Sequence, residues 1–236
     1  MVTVVKNQPT SEAVRQALKE EGRPVLVAFS GGKDAIACAL AILEEDIPFE
    51  LAHLYLVPGD APGRTLEFVE EGLEYAEEKL GKKVRRYPHP SLYRMLNNLI
   101  FQPPERIPDI VAADLPTIDY ALLWDLIRDD LGLERSTWVA DGVRAADSPY
   151  RRASLVTHGV MKPSTRKVSP IHDWVKAEWT AILERHAWKL PPDYDMFGRS
   201  FDGVDRRFLE PMKHHRPKDY KRVLDWFPLA EMELLR

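Results

Sequence analysis

The stretch Val25-Leu26-Val27-Ala28-Phe29-Ser30-Gly31-Gly32-Lys33-Asp34 decides how this chain is read, because it runs an apolar strand into two glycines and then into an alanine-rich helix. Adjacent glycines let the backbone turn tightly with no Cβ in the way, so successive N–H groups can converge on one anion. The helix that follows adds the positive end of its dipole. Ser30 brings a hydroxyl and Lys33 a mobile point charge, both suited to phosphate oxygens. Asp34 opens the helix, where a carboxylate favours the dipole and could also hold Mg²⁺. A Walker A loop is excluded by count: Gly-x-x-x-x-Gly-Lys ending at Lys33 needs glycine at position 27, which is Val27. Without the helix and strand around it, Ser-Gly-Gly would be a mere turn and Lys-Asp a solvated helix start. It is the order strand, glycines, lysine, helix that points to a phosphate cradle.

Outward from this stretch, short apolar runs alternate with segments of helical period, the pattern of βαβ units and a parallel sheet. Thr10 or Ser11 caps a helix that reaches Glu21 and stops at Gly22, before the strand at 25–29. Then follow a helix over 33–45, a strand over 49–57, an acidic helix over 64–80 and a strand over 83–87. A proline-punctuated stretch contains a short helix near 92–100 and reads either as a loop bordering the site or as an ordinary connection. Further on, the pattern predicts a helix over 118–131, a strand over 136–140, a helix over 176–186 and a polar, basic tail with an apolar end at 223–235. The expected fold class is α/β, a parallel sheet with helices on both faces and a basic C-terminal extension. Residues 1–190 would form the nucleotide-binding domain and 191–236 a tail or lid packed on it.

With 236 residues, 44% hydrophobic and 30% charged, the chain can bury a full core, which rules out a disordered or fibrous protein. Its longest apolar run, Ala35–Leu43, is nine residues, against the roughly 20 that a bilayer span needs. With no basic and apolar leader at the start, the expected compartment is the cytoplasm, and no membrane partner is expected. The net charge of −4 hides a basic third: 144–222 carries 17 Lys+Arg against 10 Asp+Glu, which fits either a polyanionic ligand or a solvated face. The one cysteine, Cys38, excludes an internal disulfide, a thiolate zinc site and an iron–sulfur cluster held by several thiolates. Flanked by alanines on the loop helix, it reads as a small buried hydrophobe. His53 reads as a core histidine, and His214-His215 as basic surface with no metal partner at ligand spacing.

Three blocks carry a family resemblance. Ser30-Gly31-Gly32-Lys33-Asp34 resembles the PP-loop of the adenine-nucleotide α-hydrolase-like superfamily, with Ala35 where that loop usually continues with serine. Asp141-Gly142-Val143-Arg144-Ala145-Ala146-Asp147-Ser148-Pro149-Tyr150-Arg151-Arg152 is similar to the Gly-x-Arg-x-x-Glu-Ser-x-x-Arg block of the phosphoadenosine phosphosulfate (PAPS) reductase branch, with Asp147 in place of glutamate. Ser169-Pro170-Ile171-His172-Asp173-Trp174 resembles that branch's Pro-Ile-x-x-Trp turn. The resemblance spans about 10–201.

It implies an enzyme that binds ATP or a related adenine nucleotide with Mg²⁺ and transfers at the α-phosphate, forming AMP and pyrophosphate. Ser30, Gly31, Gly32 and Lys33 would hold phosphates, with Gly142 and Arg144 approaching from a neighbouring strand and Val27, Ala28 and Phe29 on the purine side. Val57, Gly59 and Asp60 correspond to the loop after the second strand, and Arg151, Arg152, Lys162 and Arg166 could reach further phosphates or a sulfate. Lys33, Asp34, Arg144 and Asp147 are the implied catalytic set; Asp34, Asp60 and Asp147 are the carboxylates for magnesium, Asp34 and Asp60 the first choices. The acceptor stays open between a nucleic acid and a small molecule such as FMN, and the oligomeric state is open. The branch's reductases attack sulfur with a cysteine near the C-terminus, and this chain has none beyond Cys38. That departure argues against sulfonucleotide reduction and leaves a cysteine-less nucleotide- or nucleic-acid-binding module as the alternative to a transferase.

Overall fold

The computed structural model describes residues 3–235. Ser11–Glu21 (α1) precedes Val25–Ala28 (β1), Lys33–Glu44 (α2), Phe49–Tyr55 (β2), Glu67–Leu80 (α3) and Val84–Pro88 (β3). Pro90–Asn97 (α4), a 3-10 turn at Pro104–Arg106, Ile107–Ala112 (α5) and Tyr120–Asp130 (α6) follow. They lead to Val139–Ala140 (β4), Pro149–His158 (α7), the short strands Met161–Lys162 (β5) and Lys167–Val168 (β6), and Lys176–Arg185 (α8). Pro192–Phe197 (α9), Arg206–His215 (α10), Pro217–Trp226 (α11) and a 3-10 segment Pro228–Leu235 end the described chain.

The strands form one sheet in the order β3-β2-β1-β4-β6-β5, flanked by helices. The pairs β1/β2, β1/β4 and β4/β6 are parallel and β5/β6 is antiparallel. Leu26 pairs with Val139 and Val27 with Ala140, so β1 and β4 end side by side. The chain lays β2 and β3 on one side of β1 and its later strands on the other. Such a reversal of order opens a crevice at the C-terminal ends of the two central strands, where doubly wound sheets bind ligands.

The chain forms two compact units. The first holds the residues up to Ala52, Gly81–Val84 and Trp124–Leu190; the second holds His53–Leu80, Arg85–Leu123 and the residues from Pro191 on. In the first, α1 is capped by the Thr10 hydroxyl, which accepts the Ala13 N–H, and ends on Gly22 in the left-handed region at φ 65°. Val25, Leu26 and Val27 are buried, as is every residue of α2 from Ala35 to Ile42. A helix buried on all sides must be apolar on all sides, and the alternation of alanine with isoleucine and leucine lets neighbours pack close around it. Its polar residues stand at the two ends, Lys33 and Asp34 at the start and Glu44 at the finish.

The second unit has its own core, in which Val57, Leu66 and Phe68 meet Leu209, Val223 and Phe227. Phe68 packs edge-on against Phe197 and Phe201, with ring centroids 5.8 and 5.6 Å away, and Phe208 joins the same group. The polar tail read from sequence is therefore helical over α9, α10 and α11, and its apolar residues at 208, 209 and 212 and at 220, 223 and 227 fall at helical spacing inside a polar background.

Other boundaries move for local reasons. Helix α3 starts at Glu67, not at position 64, because Thr65 is held outside it: its hydroxyl donates to Val57 O at 2.8 Å and its N–H to Glu70 Oε1 at 2.8 Å. Helix α4 stops at Asn97, since Leu99 and Phe101 take φ of 56° and 57° and turn the chain away. The strand expected over 136–140 shortens to Val139–Ala140, as Thr137 N–H closes a turn onto Glu134 O.

The start of α3 carries a testable dependence. The Asp219 carboxylate, 3% exposed, accepts the N–H groups of Glu67 at 2.6 Å and Phe68 at 3.3 Å, so a residue of α11 serves as the cap that α3 lacks locally. Asp219→Ala is expected to lower stability by about 1–3 kcal/mol. Asp219→Asn, which keeps an acceptor, should lose less; urea unfolding of the three proteins measures both.

Candidate functional site

The residues singled out after β1 form a tight loop. Phe29 extends the ladder by donating its N–H to Ala52 O at 2.8 Å, and its side chain is buried, so Ala28 and Phe29 offer a ligand mainly backbone. Ser30 is exposed, and its hydroxyl accepts the Gly32 N–H at 3.3 Å. Gly31 takes φ +78°, a conformation that disfavours any side chain, with open space where its Cβ would be. Gly32 is the N-cap of α2 in extended conformation and supplies no side-chain acceptor to the first turn. The first N–H groups of a twelve-residue helix thus receive no side-chain acceptor from the cap, the situation in which helix starts attract anions.

The loop after β4 reaches the same place. A Cβ on Gly142 would lie 2.5 Å from the carbonyl carbon and oxygen of Asp34 and 2.9 Å from Ala35 N, so this loop presses its backbone onto the first turn of α2. Arg144, 5% exposed, then sets Nη2 2.6 Å from Asp147 Oδ1 and 3.0 Å from Asp34 Oδ1. Lys33 Nζ bonds Asp34 Oδ2 at 2.7 Å, and Arg151 Nη1 bonds Asp147 Oδ2 at 2.6 Å. The result is a chain of alternating charge, Lys33, Asp34, Arg144, Asp147, Arg151, with three cations and two anions. Its centre is imperfectly matched: Arg144 Nε and Asp34 Oδ1 are buried, and neither makes a directed hydrogen bond.

Asp141, between β4 and Gly142, was not singled out as a site residue. It retains some contact with solvent, yet the protein crowded around its carboxyl raises its pKa, against the opposing pull of hydrogen bonds from Ser169 Oγ at 2.7 Å and Val143 N–H at 3.1 Å and of Lys162 and Lys167. Both bonds end on Oδ1.

Ser30, Gly31, Gly32, Lys33, Asp34, Gly142, Arg144, Asp147 and Arg151 therefore meet within the first unit, more than a hundred positions apart in sequence. Gly59 and Asp60 belong to the second. There Gly59 is needed by the backbone, since a Cβ would stand 2.3 Å from Thr65 O, and Asp60 is 86% exposed beside Arg222 at 3.4 Å. They border a cleft of about 340 Å³ with Arg64, Glu74 and Lys218, whose carboxylates face cations, as Glu74 faces Arg64 at 2.6 Å. Arg166 lies over the Trp138 ring at 5.4 Å. His53 is buried.

The carboxylates as they stand do not fit a resident Mg²⁺. Asp34 lies between Lys33 and Arg144, Asp147 between Arg144 and Arg151, and among the described residues no group of three or more His, Cys, Asp or Glu side chains could hold a metal ion. A magnesium ion at this loop would instead be carried by the polyphosphate it accompanies. Among the described residues, no helix is long and apolar enough to cross a membrane.

No family model matches the chain, and no curated protein does. Among solved structures it is similar to the NH3-dependent NAD synthetase from Campylobacter jejuni subsp. jejuni NCTC 11168 in complex with the nitrate ion. The two are 13% identical over 95% of this chain and 93% of that one, with a TM-score of 0.45. No ligand or role passes to this chain from a likeness of that size.

Two outcomes follow from this geometry. Gly142→Ala sets backbone against backbone, where no flexible side chain can yield, and is expected to destabilise the protein by about 1–3 kcal/mol and to weaken any anion binding at the loop. Thermal melts, with Gly203→Ala as a glycine control that meets only side chains, measure the first effect. For Asp141, the folded state keeps a proton that the unfolded chain releases near about pH 4, so stability falls as pH rises from there through the raised folded pKa. Asp141→Asn, which keeps the acceptor and cannot ionise, should flatten that fall. Equal pH dependence of the unfolding midpoint in both proteins would contradict the assignment.

Proposed function

We propose that this chain binds ATP or a related adenine nucleotide at the loop 30–34 and acts on its α-phosphate, transferring the nucleotidyl group to an acceptor with release of pyrophosphate. One observation supports the reading above the others: α2 begins at Gly32 with no side-chain cap, beside Lys33 and within reach of the Arg144 chain. Backbone donors, a helix dipole and two cations converging on one point suit a polyphosphate better than a single carboxylate. The resemblance of 30–34 and 141–152 to the PP-loop and to the PAPS reductase-like branch supplies the adenine and the α-phosphate.

In this reading the glycine backbone and the first turn of α2 hold the phosphates. Lys33 leaves Asp34 for the β- and γ-phosphate oxygens, and Arg144 meets charge that develops as the bond to pyrophosphate lengthens. An acceptor oxygen or nitrogen forms the new bond to the α-phosphorus, the bond to the bridging oxygen breaks, and the acceptor's proton passes to solvent. These residues catalyse by placement and charge, without a covalent intermediate. Cys38 takes no part: it is fully buried, and burial pushes its thiol far above the ordinary range, so a thiolate attack on sulfur has no nucleophile.

A non-catalytic binding module is the second reading. It is favoured by the pairing of Asp34 and Asp147 with cations, which leaves neither poised as a base.

Calorimetry with ATP and Mg²⁺, followed by assay for AMP and pyrophosphate with nucleic-acid and flavin acceptors, separates the two. Lys33→Ala is expected to weaken binding by about 1.5–3 kcal/mol, the size of a charge-assisted contact, while Cys38→Ala keeps binding and any turnover. Undiminished affinity in Lys33→Ala would refute the phosphate reading. Binding without AMP formation by any acceptor would assign the chain to the module.

A further inference from the structure

The turn Ser169-Pro170-Ile171-His172-Asp173-Trp174 directs attention to Trp174, but that ring is 9% exposed and lies under the Arg15 guanidinium at 5.5 Å. The tryptophan that meets the loop is the next one. Trp179, partly exposed in the first turns of α8, faces Lys33, whose Nζ stands 5.6 Å from the ring centroid.

Helix α8 is fixed against α2 at the far end as well. Glu44, in the last turn of α2, takes Arg185 Nη2 at 2.8 Å and His186 Nε2 at 3.0 Å from the end of α8. Burial raises the Glu44 carboxyl, but the hydrogen bonds from Arg185 and His186 outweigh it and hold the pKa below the ordinary range. The two helices thus run in the same direction, joined by Lys33 with Trp179 at one end and by Glu44 with Arg185 at the other. The ring's place over the loop is therefore set by the framework.

Resting on the reading of loop 30–34 as a polyphosphate site, we infer that Trp179 is the positioning residue that keeps Lys33 directed at the phosphates during binding. Asp34 and Trp179 respond differently when a polyanion reaches Lys33. Asp34 orients the ammonium but competes with phosphate for it, since both are anions. An aromatic face attracts the same cation through its quadrupole and carries no net charge, so it holds Nζ without opposing the phosphate. It also shields one side of the ammonium from water, which strengthens the charge contact on the other. When Lys33 leaves Asp34, its contact with Trp179 can persist. The side chain then moves between two anions along a fixed wall, with fewer rotamers to lose than a lysine in open solvent.

The test is a double-mutant cycle on ATP affinity, measured by calorimetry with Mg²⁺ present. Trp179→Leu keeps apolar bulk and removes the ring face, while Trp179→Phe keeps a ring. With Lys33 in place, Trp179→Leu is expected to weaken ATP about five- to tenfold and Trp179→Phe less than about threefold, in line with cation–π strengths. In a Lys33→Ala background, Trp179→Leu should change affinity little. An equal loss in both backgrounds would mean that the ring acts other than through Lys33, and would overturn the inference. So would a loss of adenosine affinity as large as that of ATP, which would make Trp179 a platform for the base. If Lys33→Ala weakens ATP and Trp179→Leu does not, the inference fails alone. Unchanged ATP affinity in Lys33→Ala removes the phosphate reading and this inference with it.

Discussion

The approach of the Gly142 backbone to the first turn of α2 is the constraint on which the candidate site depends. The loops after two adjacent parallel strands lie here with backbone against backbone, and the missing Cβ of one residue makes that distance possible. Everything polar at the site is arranged around that contact. Arg144 lies two residues beyond it, and Asp34 is the residue it presses on. The crevice at the reversal of strand order is a general property of the fold, whereas the closeness of its two walls is particular to this glycine.

A second constraint is the burial of α2. Because Ala35 to Ile42 is enclosed, the helix cannot shift along its axis without disturbing packing on all sides, so its N-terminus is a fixed point in the first unit. That rigidity is what makes backbone N–H groups useful as ligand donors, since they do not need to be reorganised when an anion binds. The second unit manages its polar backbone by different means. There a buried carboxylate from α11 completes α3, and a cluster of four phenylalanines fills the interior between α3, α9 and α10.

The central part of this fold was legible because its signals are local and strong. A short apolar run with two valines, two glycines and an alanine-rich helix fix β1 and α2 to within a residue of their ends, and Thr10 and Gly22 do the same for α1. What was not legible depends on tertiary partners. The strands β5 and β6 are two residues each and carry no periodic signal, α9 is only six residues long, and α10 and α11 hide sparse apolar positions among lysines, arginines and prolines. At the site, the glycines and cations were readable from residue type and order. The partnership of Arg144 with Asp34 needed the pairing of β4 with β1. The meeting of Trp179 with Lys33 needed the packing of α8 on α2, and nothing in the Pro-Ile-x-x-Trp turn distinguishes that ring from Trp174.

The alternating chain of charges is open to solvent at both ends and buried in its middle. Arg144 is buried, whereas the Arg151 side chain at the start of α7 is 48% exposed. Dissolved ions reach Arg151 at one end and Lys33 at the other, and hardly Arg144 between them, since screening acts on charges in contact with solvent. An anion that draws Lys33 away from Asp34 leaves that carboxylate to Arg144 and to the solvent that its side chain, 24% exposed, already meets. Ionic strength thus has a lever on the interior of this protein at a position remote in sequence from the glycine loop, through the guanidinium at its surface.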